Sequence, residues 1–113
     1  MRFRTCLAVA LTGLTLAVSL PTSATAATGQ FFYTYESGGK TLEGFLRDPK
    51  GRVCINLDEV AEPATPAHSP RNRTNSIATV YTDADCDGES FPLKANGGSG
   101  GKDVKFRSVI FNK

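Results

Sequence analysis

The sequence predicts an all-β fold, a sandwich or Greek-key unit of about six to eight short strands. Three observations carry this prediction. Apolar and aromatic residues alternate with polar ones in several short runs, as expected for half-buried strands. Glycine, proline and aspartate separate these runs at short intervals and mark turns. After residue 26, no helical period extends beyond a turn or two.

The first 26 residues predict a secretory signal peptide. Arg2 and Arg4 give a positive start, and the uncharged run 7–20 is apolar. This run of about 14 residues is shorter than the ~20 that cross a bilayer as a helix. The small residues Ala24 and Ala26 flank Thr25 in a pattern typical of a cleavage site. We therefore expect a signal peptide over 1–26, a single β domain over 27–113, and a secreted extracellular protein without a membrane anchor.

The charge of the exported part argues against anionic polymers as partners. The chain has 13 Lys and Arg, and cleavage removes Arg2 and Arg4. The 11 that remain equal the 11 Asp and Glu, so the expected net charge is zero. No basic stripe with interleaved aromatic residues occurs along the chain. We expect no nucleic-acid partner.

Two cysteines remain after cleavage, Cys54 and Cys86. In an oxidising compartment, two cysteines permit one intramolecular disulfide, and small secreted domains commonly depend on such bonds. Intermolecular pairing and free thiols are the alternatives. Two cysteines and one distant histidine lack the ligand spacing of a zinc site.

The first half of the domain reads as three strands joined by turns. Residues 31–35 alternate, so that Phe31, Tyr33 and Tyr35 share one face while Phe32 and Thr34 lie on the other. A turn at 37–40 allows residues 41–46 to pair back as a hairpin. Another turn at 48–51 precedes a strand over 53–57.

Residues 59–73 interrupt this pattern, because they contain three prolines and almost no large apolar side chain. Proline donates no ladder hydrogen bond, so the segment is not expected to form a central strand. We expect an ordered surface excursion. A stiff exposed loop loses little entropy on docking, so the segment is also a candidate binding loop. Its candidate contact residues are Pro63, Pro66, His68, Pro70, Arg71 and Arg73.

The second half resumes the strand pattern. Strands are expected over 77–81, 90–93 and 106–111. An acidic turn at 83–88 lies between the first two, and the glycine-rich segment 96–101 is expected to be a flexible connector.

The acidic turn has two interpretations. Asp83, Asp85 and Asp87 alternate before Gly88, and calcium loops use several such oxygen ligands. An EF-hand is excluded, because Lys94 stands where the bidentate glutamate would be and no helices flank the loop. The other interpretation is a hairpin turn, since Asp-Gly strongly favours one.

Catalytic residue types are scarce. His68 is the only histidine, and within nine residues its only acidic neighbours in the sequence are Glu59 and Glu62. A nucleophile would need a base and an orienting group beside it. We therefore expect no enzymatic activity and no cofactor other than calcium.

The region 77–111 resembles the βγ-crystallin Greek-key motif. The resemblance lies in Tyr81, Gly88 seven residues later, Leu93 and the pair Ser108-Val109. It implies a hairpin folded over at Gly88, with Ser108 of the last strand packing against it. Cys86 stands where the motif has its second aromatic residue.

The resemblance also implies possible functions. Members of this family are structural, calcium-binding, or small secreted bacterial proteins, including metalloproteinase inhibitors. Asp103 and Ser108 match the ends of the family's calcium signature, whereas Val104 and Arg107 replace a ligand and a hydroxyl. Our leading hypothesis is a secreted, monomeric, non-enzymatic binding or structural protein with an extracellular protein partner or none. The alternative is a protease inhibitor that presents residues 63–73.

Overall fold

The computed structural model describes residues 26–112, which form two antiparallel four-stranded sheets without an α-helix in that range. The all-β prediction is confirmed. The predicted signal peptide lies outside the described residues apart from Ala26. No helix in the described range is long and apolar enough to cross a membrane. The strands are β1 (Gly29–Ser37), β2 (Lys40–Arg47), β3 (Cys54–Asn56), β4 (His68–Thr74), β5 (Ala78–Tyr81), β6 (Ser90–Leu93), β7 (Gly98–Ser99) and β8 (Ser108–Phe111).

The two sheets exchange their third strands. The first sheet has the order β2-β1-β4-β7, and the second has the order β3-β8-β5-β6. Each sheet therefore takes three strands from one half of the chain and the third strand of the other half. Because of this exchange, each half of the chain completes the sheet of the other.

The β1–β2 hairpin is built around a two-residue turn. Gly38 and Gly39 have φ values of 58° and 78°, a conformation that glycine adopts at little cost. The alternation predicted for β1 is confirmed, since Phe31 and Tyr33 are buried. Gly44 of β2 is required by close packing, because a Cβ there would lie 2.6 Å from the Tyr33 ring.

Aromatic rings fill the space between the sheets. The Phe31 ring meets Phe106 and Phe111 edge to face, with centroids 6.1 and 5.5 Å apart. Such edge contacts suit the ring quadrupoles and add to the gain from apolar burial. Aliphatic side chains from the second sheet and from the segment after β3 complete this core: Leu57, Val60, Val80, Leu93 and Val109.

One buried amide joins the two sheets. Asn72 of β4 has no solvent exposure, and its Nδ2 donates to the carbonyl oxygens of Ser76, Leu93 and Lys94 at 2.7 to 3.3 Å. Its Oδ1 accepts from the Thr74 amide and hydroxyl. Leu93 ends β6 of the second sheet, so this side chain bridges the layers while satisfying its own polar atoms.

The expectation that residues 59–73 contain no central strand is wrong. Residues 68–74 form β4, which lies between β1 and β7. The proline is accommodated by a bulge: Phe32 pairs with Arg71 and Thr34 with His68, so Ser69 and Pro70 together face one residue of β1. The ladder needs no donor from Pro70 there, and Ser69 bends the strand with φ 55°.

The expectation of a flexible connector at 96–101 is also wrong. Gly98 and Ser99 pair with Asn72 and Arg71 as strand β7. Glycine is required at position 98, because a Cβ there would lie 2.4 Å from the backbone nitrogen of Lys94. Glycine-rich composition is compatible both with a flexible connector and with close packing of backbones, and here it serves close packing.

The disulfide prediction is confirmed. Cys54 and Cys86 are bonded, with their Cα atoms 5.9 Å apart and a sequence separation of 32. The bond ties β3 to the 3₁₀ turn Ala84–Cys86. It therefore fixes the exchanged strand of the first half to the hairpin of the second.

Replacing both cysteines by alanine is expected to lower the melting temperature by more than ten degrees. Closing a loop of this length stabilises by roughly 3–4 kcal/mol in the chain-entropy model. A domain of this size loses about 4–8 °C per kcal/mol. Calorimetry of the double variant and of the reduced wild-type protein should give matching losses. A change of only a few degrees would contradict this account.

Candidate functional site

The acidic segment forms a turn between β5 and β6, and Ser108 of the last strand, β8, is hydrogen-bonded to its backbone. Asp85 and Cys86 both have positive φ, 61° and 54°. The Cys86 amide donates to Ser108 Oγ at 2.9 Å, and that hydroxyl donates to the Asp83 carbonyl at 2.6 Å. Ser108 is fully buried, and these two hydrogen bonds satisfy its hydroxyl.

Gly88 is needed for the hairpin to fold over. It has φ 85°, and a Cβ at this position would lie 2.2 Å from Thr82 Oγ1 and 2.7 Å from Asp83 Oδ2. The same Thr82 hydroxyl accepts from the Glu89 amide at 3.0 Å. The turn is therefore packed tightly enough that any larger residue would force it to shift.

The four candidate calcium ligands are not gathered at one point. Asp85 Oδ1 accepts from Asn56 Nδ2 at 3.0 Å, and Asp87 Oδ1 accepts from the Gly88 amide at 2.8 Å. Asp83 Oδ2 faces Gly88, and Asp103 lies on a separate loop. Across residues 26–112, no group of three or more His, Cys, Asp or Glu side chains is placed to hold a metal ion.

Asp103 instead borders a cavity of about 320 Å³ beside the β5–β6 hairpin. Glu89 and Lys105 bring further charge to the wall, and Phe91 gives it a half-exposed aromatic side. This mixed lining suits a small amphipathic molecule. Sequence inspection did not find this cavity, since its walls come from strands and from a loop far along the chain.

Arg107 anchors the exposed loop 61–66. Its Nε donates to the Val60 carbonyl at 3.1 Å, and Nη2 donates to the Ala64 carbonyl at 2.6 Å. Glu62 lies 3.6 Å from Nη1. Both strong carbonyl contacts are charge-assisted, so one side chain of the second half holds the loop of the first.

The predicted binding loop is therefore only partly a loop. Pro63 and Pro66 lie in the anchored segment 61–66. Pro70 is fully buried in β4, and the prediction that it belongs to an exposed loop is wrong. Arg71 and Arg73 are exposed, but on the outer face of the first sheet.

His68 stands between a carboxylate and a hydroxyl. Its Nε2 donates to Glu36 Oε2 at 3.1 Å, because the carboxylate can only accept, and its Nδ1 lies 2.9 Å from Ser69 Oγ, within hydrogen-bond distance. Hydrogen bonds from His68 and Thr41 hold the pKa of the Glu36 carboxyl below its usual value. A serine, a histidine and a glutamate in contact are the residue types that activate a nucleophile. The 320 Å³ cavity, however, is lined by other residues.

A row of aromatic and cationic side chains crosses the outer face of the first sheet; we call Phe32, Phe45, Arg47 and Arg71 the aromatic–arginine face. Phe32 pairs with Phe45 on one side and with Arg71 on the other. The Arg71 guanidinium lies 5.1 Å from the Phe32 centroid, and that of Arg47 lies 5.9 Å from the Phe45 centroid. Phe45 is 51% exposed.

Charge on this face is partly balanced. Arg71 forms an ion pair with Glu43, whereas Arg47 has only the aromatic contact among the polar and ring interactions found for residues 26–112. The sequence pattern placed Phe32 on the face of its strand opposite Phe31 and Tyr33, but did not connect it with Phe45 and Arg71. The signal was the strand alternation itself, which puts large apolar residues where polar ones are usual.

Comparison of the chain with protein-family models, with curated proteins and with solved structures gave no match. The geometry of the described residues is therefore the basis for assigning a function.

Millimolar calcium is expected to leave the melting temperature unchanged relative to excess chelator. The carboxylates of the acidic turn are dispersed or already hydrogen-bonded. The cationic Arg107 also occupies the position where the βγ-crystallin calcium signature has a hydroxyl residue. A ligand at 100 times its dissociation constant would add about 2.7 kcal/mol. A clear rise on adding calcium would contradict this expectation and restore Asp83, Asp85, Asp87 and Asp103 as ligands.

Proposed function

We propose that this protein is a secreted, non-enzymatic, βγ-crystallin-like binding protein that recognises an extracellular protein through its aromatic–arginine face. The exchange of third strands between the sheets supports the Greek-key interpretation. So do the Ser108 hydroxyl bound under the hairpin and the positive φ of Gly88. The single disulfide suits an oxidising compartment.

The aromatic–arginine face carries the functional part of the proposal. Phenylalanine and arginine are enriched at protein interfaces, where flat rings fill pockets and guanidinium groups pair with carboxylates. The face lies on paired strands, so its side chains are presented by a rigid surface and lose little freedom on binding. The two arginines of this face and the neighbouring Arg73 favour a partner with acidic side chains.

The non-enzymatic part of the proposal is supported by the placement of the histidine. His68 is held by Glu36 near the end of β1 and by Ser69 at the start of β4, and none of the three borders the 320 Å³ cavity. A hydrolase would need a substrate pocket and oxyanion donors around the Ser69 hydroxyl.

The wild-type protein is expected to hydrolyse no member of a panel of ester and peptide substrates. Turnover by the wild type that the substitution His68→Ala abolishes would contradict this expectation.

The face can be tested with an acidic probe. We expect the protein to bind immobilised polyglutamate with an affinity that falls as salt rises, because the contacts are charge-assisted. The double substitution Phe45→Ser and Arg71→Ser should weaken this binding at least tenfold. Ile77→Ser is the matched control, since Ile77 is 46% exposed and lies outside the first sheet. Equal binding by the double variant and the wild type would contradict the proposal.

A second candidate function, protease inhibition, is favoured by one observation. Arg107 holds residues 61–66 from within while that segment stays mostly exposed. A preorganised loop is what a protease-docking segment requires. Micromolar protein should then inhibit at least one member of a panel of serine and metalloproteases, and Arg107→Ala should abolish the effect. No inhibition across the panel would remove this candidate.

A further inference from the structure

The outer edge of the first sheet is a long strand whose free side can be assigned. β2 is an edge strand, with β1 as its only neighbour among the described residues. The Asp48 amide donates to the Gly29 carbonyl at 2.8 Å, which fixes the phase of the β1–β2 ladder. Because hydrogen-bonded and non-bonded pairs alternate, the backbone groups of Thr41, Glu43, Phe45 and Arg47 point away from β1.

These outward groups can pair with an antiparallel strand of the same sequence. Four two-fold registers, centred on residue 42, 43, 44 or 45, keep at least five of the eight residues of β2 paired. Centring on 42 sets Glu43 opposite Thr41 and forms no pair of opposite charges. Centring on 43 sets Glu43 opposite its own copy, where like charges repel. Centring on 44 sets Glu43 opposite Phe45, which offers the carboxylate no partner.

The register centred on Phe45 is complementary throughout. It sets Glu43 opposite Arg47 of the second copy, and by symmetry the reverse pair forms as well. The two Phe45 rings, each 51% exposed, face each other at the two-fold axis. Aromatic pairs and opposite-charge pairs are favourable directly across strands. The strand ends suitably at Arg47, because Asp48 has φ 45° and turns the backbone away.

We propose that two copies of this chain associate through their β2 edges, in the register centred on Phe45, and form one continuous eight-stranded sheet. The two-fold axis passes through the Phe45 pair, so the two aromatic–arginine faces join into one surface. A second copy fits better than an unrelated extended peptide because both charge pairs and the ring pair come from this strand alone. The inference does not rest on the proposed function, since self-association is measured without any other partner.

Sedimentation equilibrium of the purified protein tests this association. The interface is short, so we expect dimers at concentrations on the order of 100 µM rather than at nanomolar levels. Phe45→Lys places two like charges at the axis, and Arg47→Glu sets carboxylates against Glu43. Each should lower the association constant about tenfold or more. Ile77→Lys, a matched exposed position outside the first sheet, should leave it unchanged.

Cysteine cross-linking tests the register separately. Opposed residues of a hydrogen-bonded pair have Cα atoms about 5.5 Å apart, within disulfide reach. Phe45→Cys should therefore form a covalent dimer on mild oxidation, whereas Thr41→Cys and Glu43→Cys should not. A monomer at all concentrations up to about 1 mM, a dimer unaffected by either charge variant, or preferential cross-linking at 41 or 43 would overturn the proposal. Circular dichroism of each variant confirms that it is folded before its mass is interpreted.

Discussion

The fold depends on the exchange of one strand between the two halves of the chain. β3 leaves the first half to pair with β8, and β7 leaves the second half to pair with β4. Neither sheet is complete until both halves are present, so the strands on which the candidate sites lie form together. The disulfide and the Arg107 contacts both act across this exchange, joining β3 or the loop after it to the second half.

Two buried polar side chains form hydrogen bonds to the backbone where regular strand pairing ends. Asn72 lies in β4 and Ser108 in β8, the fourth strand of each half. Asn72 donates to the carbonyls of the last residue of β6 and of the residue after it. Ser108 is hydrogen-bonded to the turn in which Asp85 and Cys86 have positive φ. A buried donor or acceptor without a partner costs about 1–3 kcal/mol, so these positions cannot be filled by apolar residues of similar size without repacking. Asn72 therefore stabilises the sheet on which the aromatic–arginine face lies, and Ser108 stabilises the other sheet.

Local structure could be predicted from the sequence more completely than the contacts between distant segments. Period-two alternation predicted β1 and the division of its side chains between two faces, and the count of two cysteines after residue 26 predicted their bond. Pro70 misled, because a proline excludes a regular ladder position but not the bulge opposite Tyr33 that the structure contains. The aromatic–arginine face was not predicted, since Phe32, Phe45 and Arg71 come from three strands and meet only through their registers. The cavity near Asp103 was missed for the same reason.

The burial of Asn72 has a consequence for producing this protein. Asn72-Arg73-Thr74 matches the acceptor pattern for N-linked glycans. In the folded chain, the Asn72 amide nitrogen is already committed to three carbonyls and has no access to solvent. A glycan could therefore be attached only before the sheets close, and it would then block their closure. In a glycosylating expression host, folding and modification would compete for the same nitrogen atom, and the glycosylated fraction would be the misfolded one.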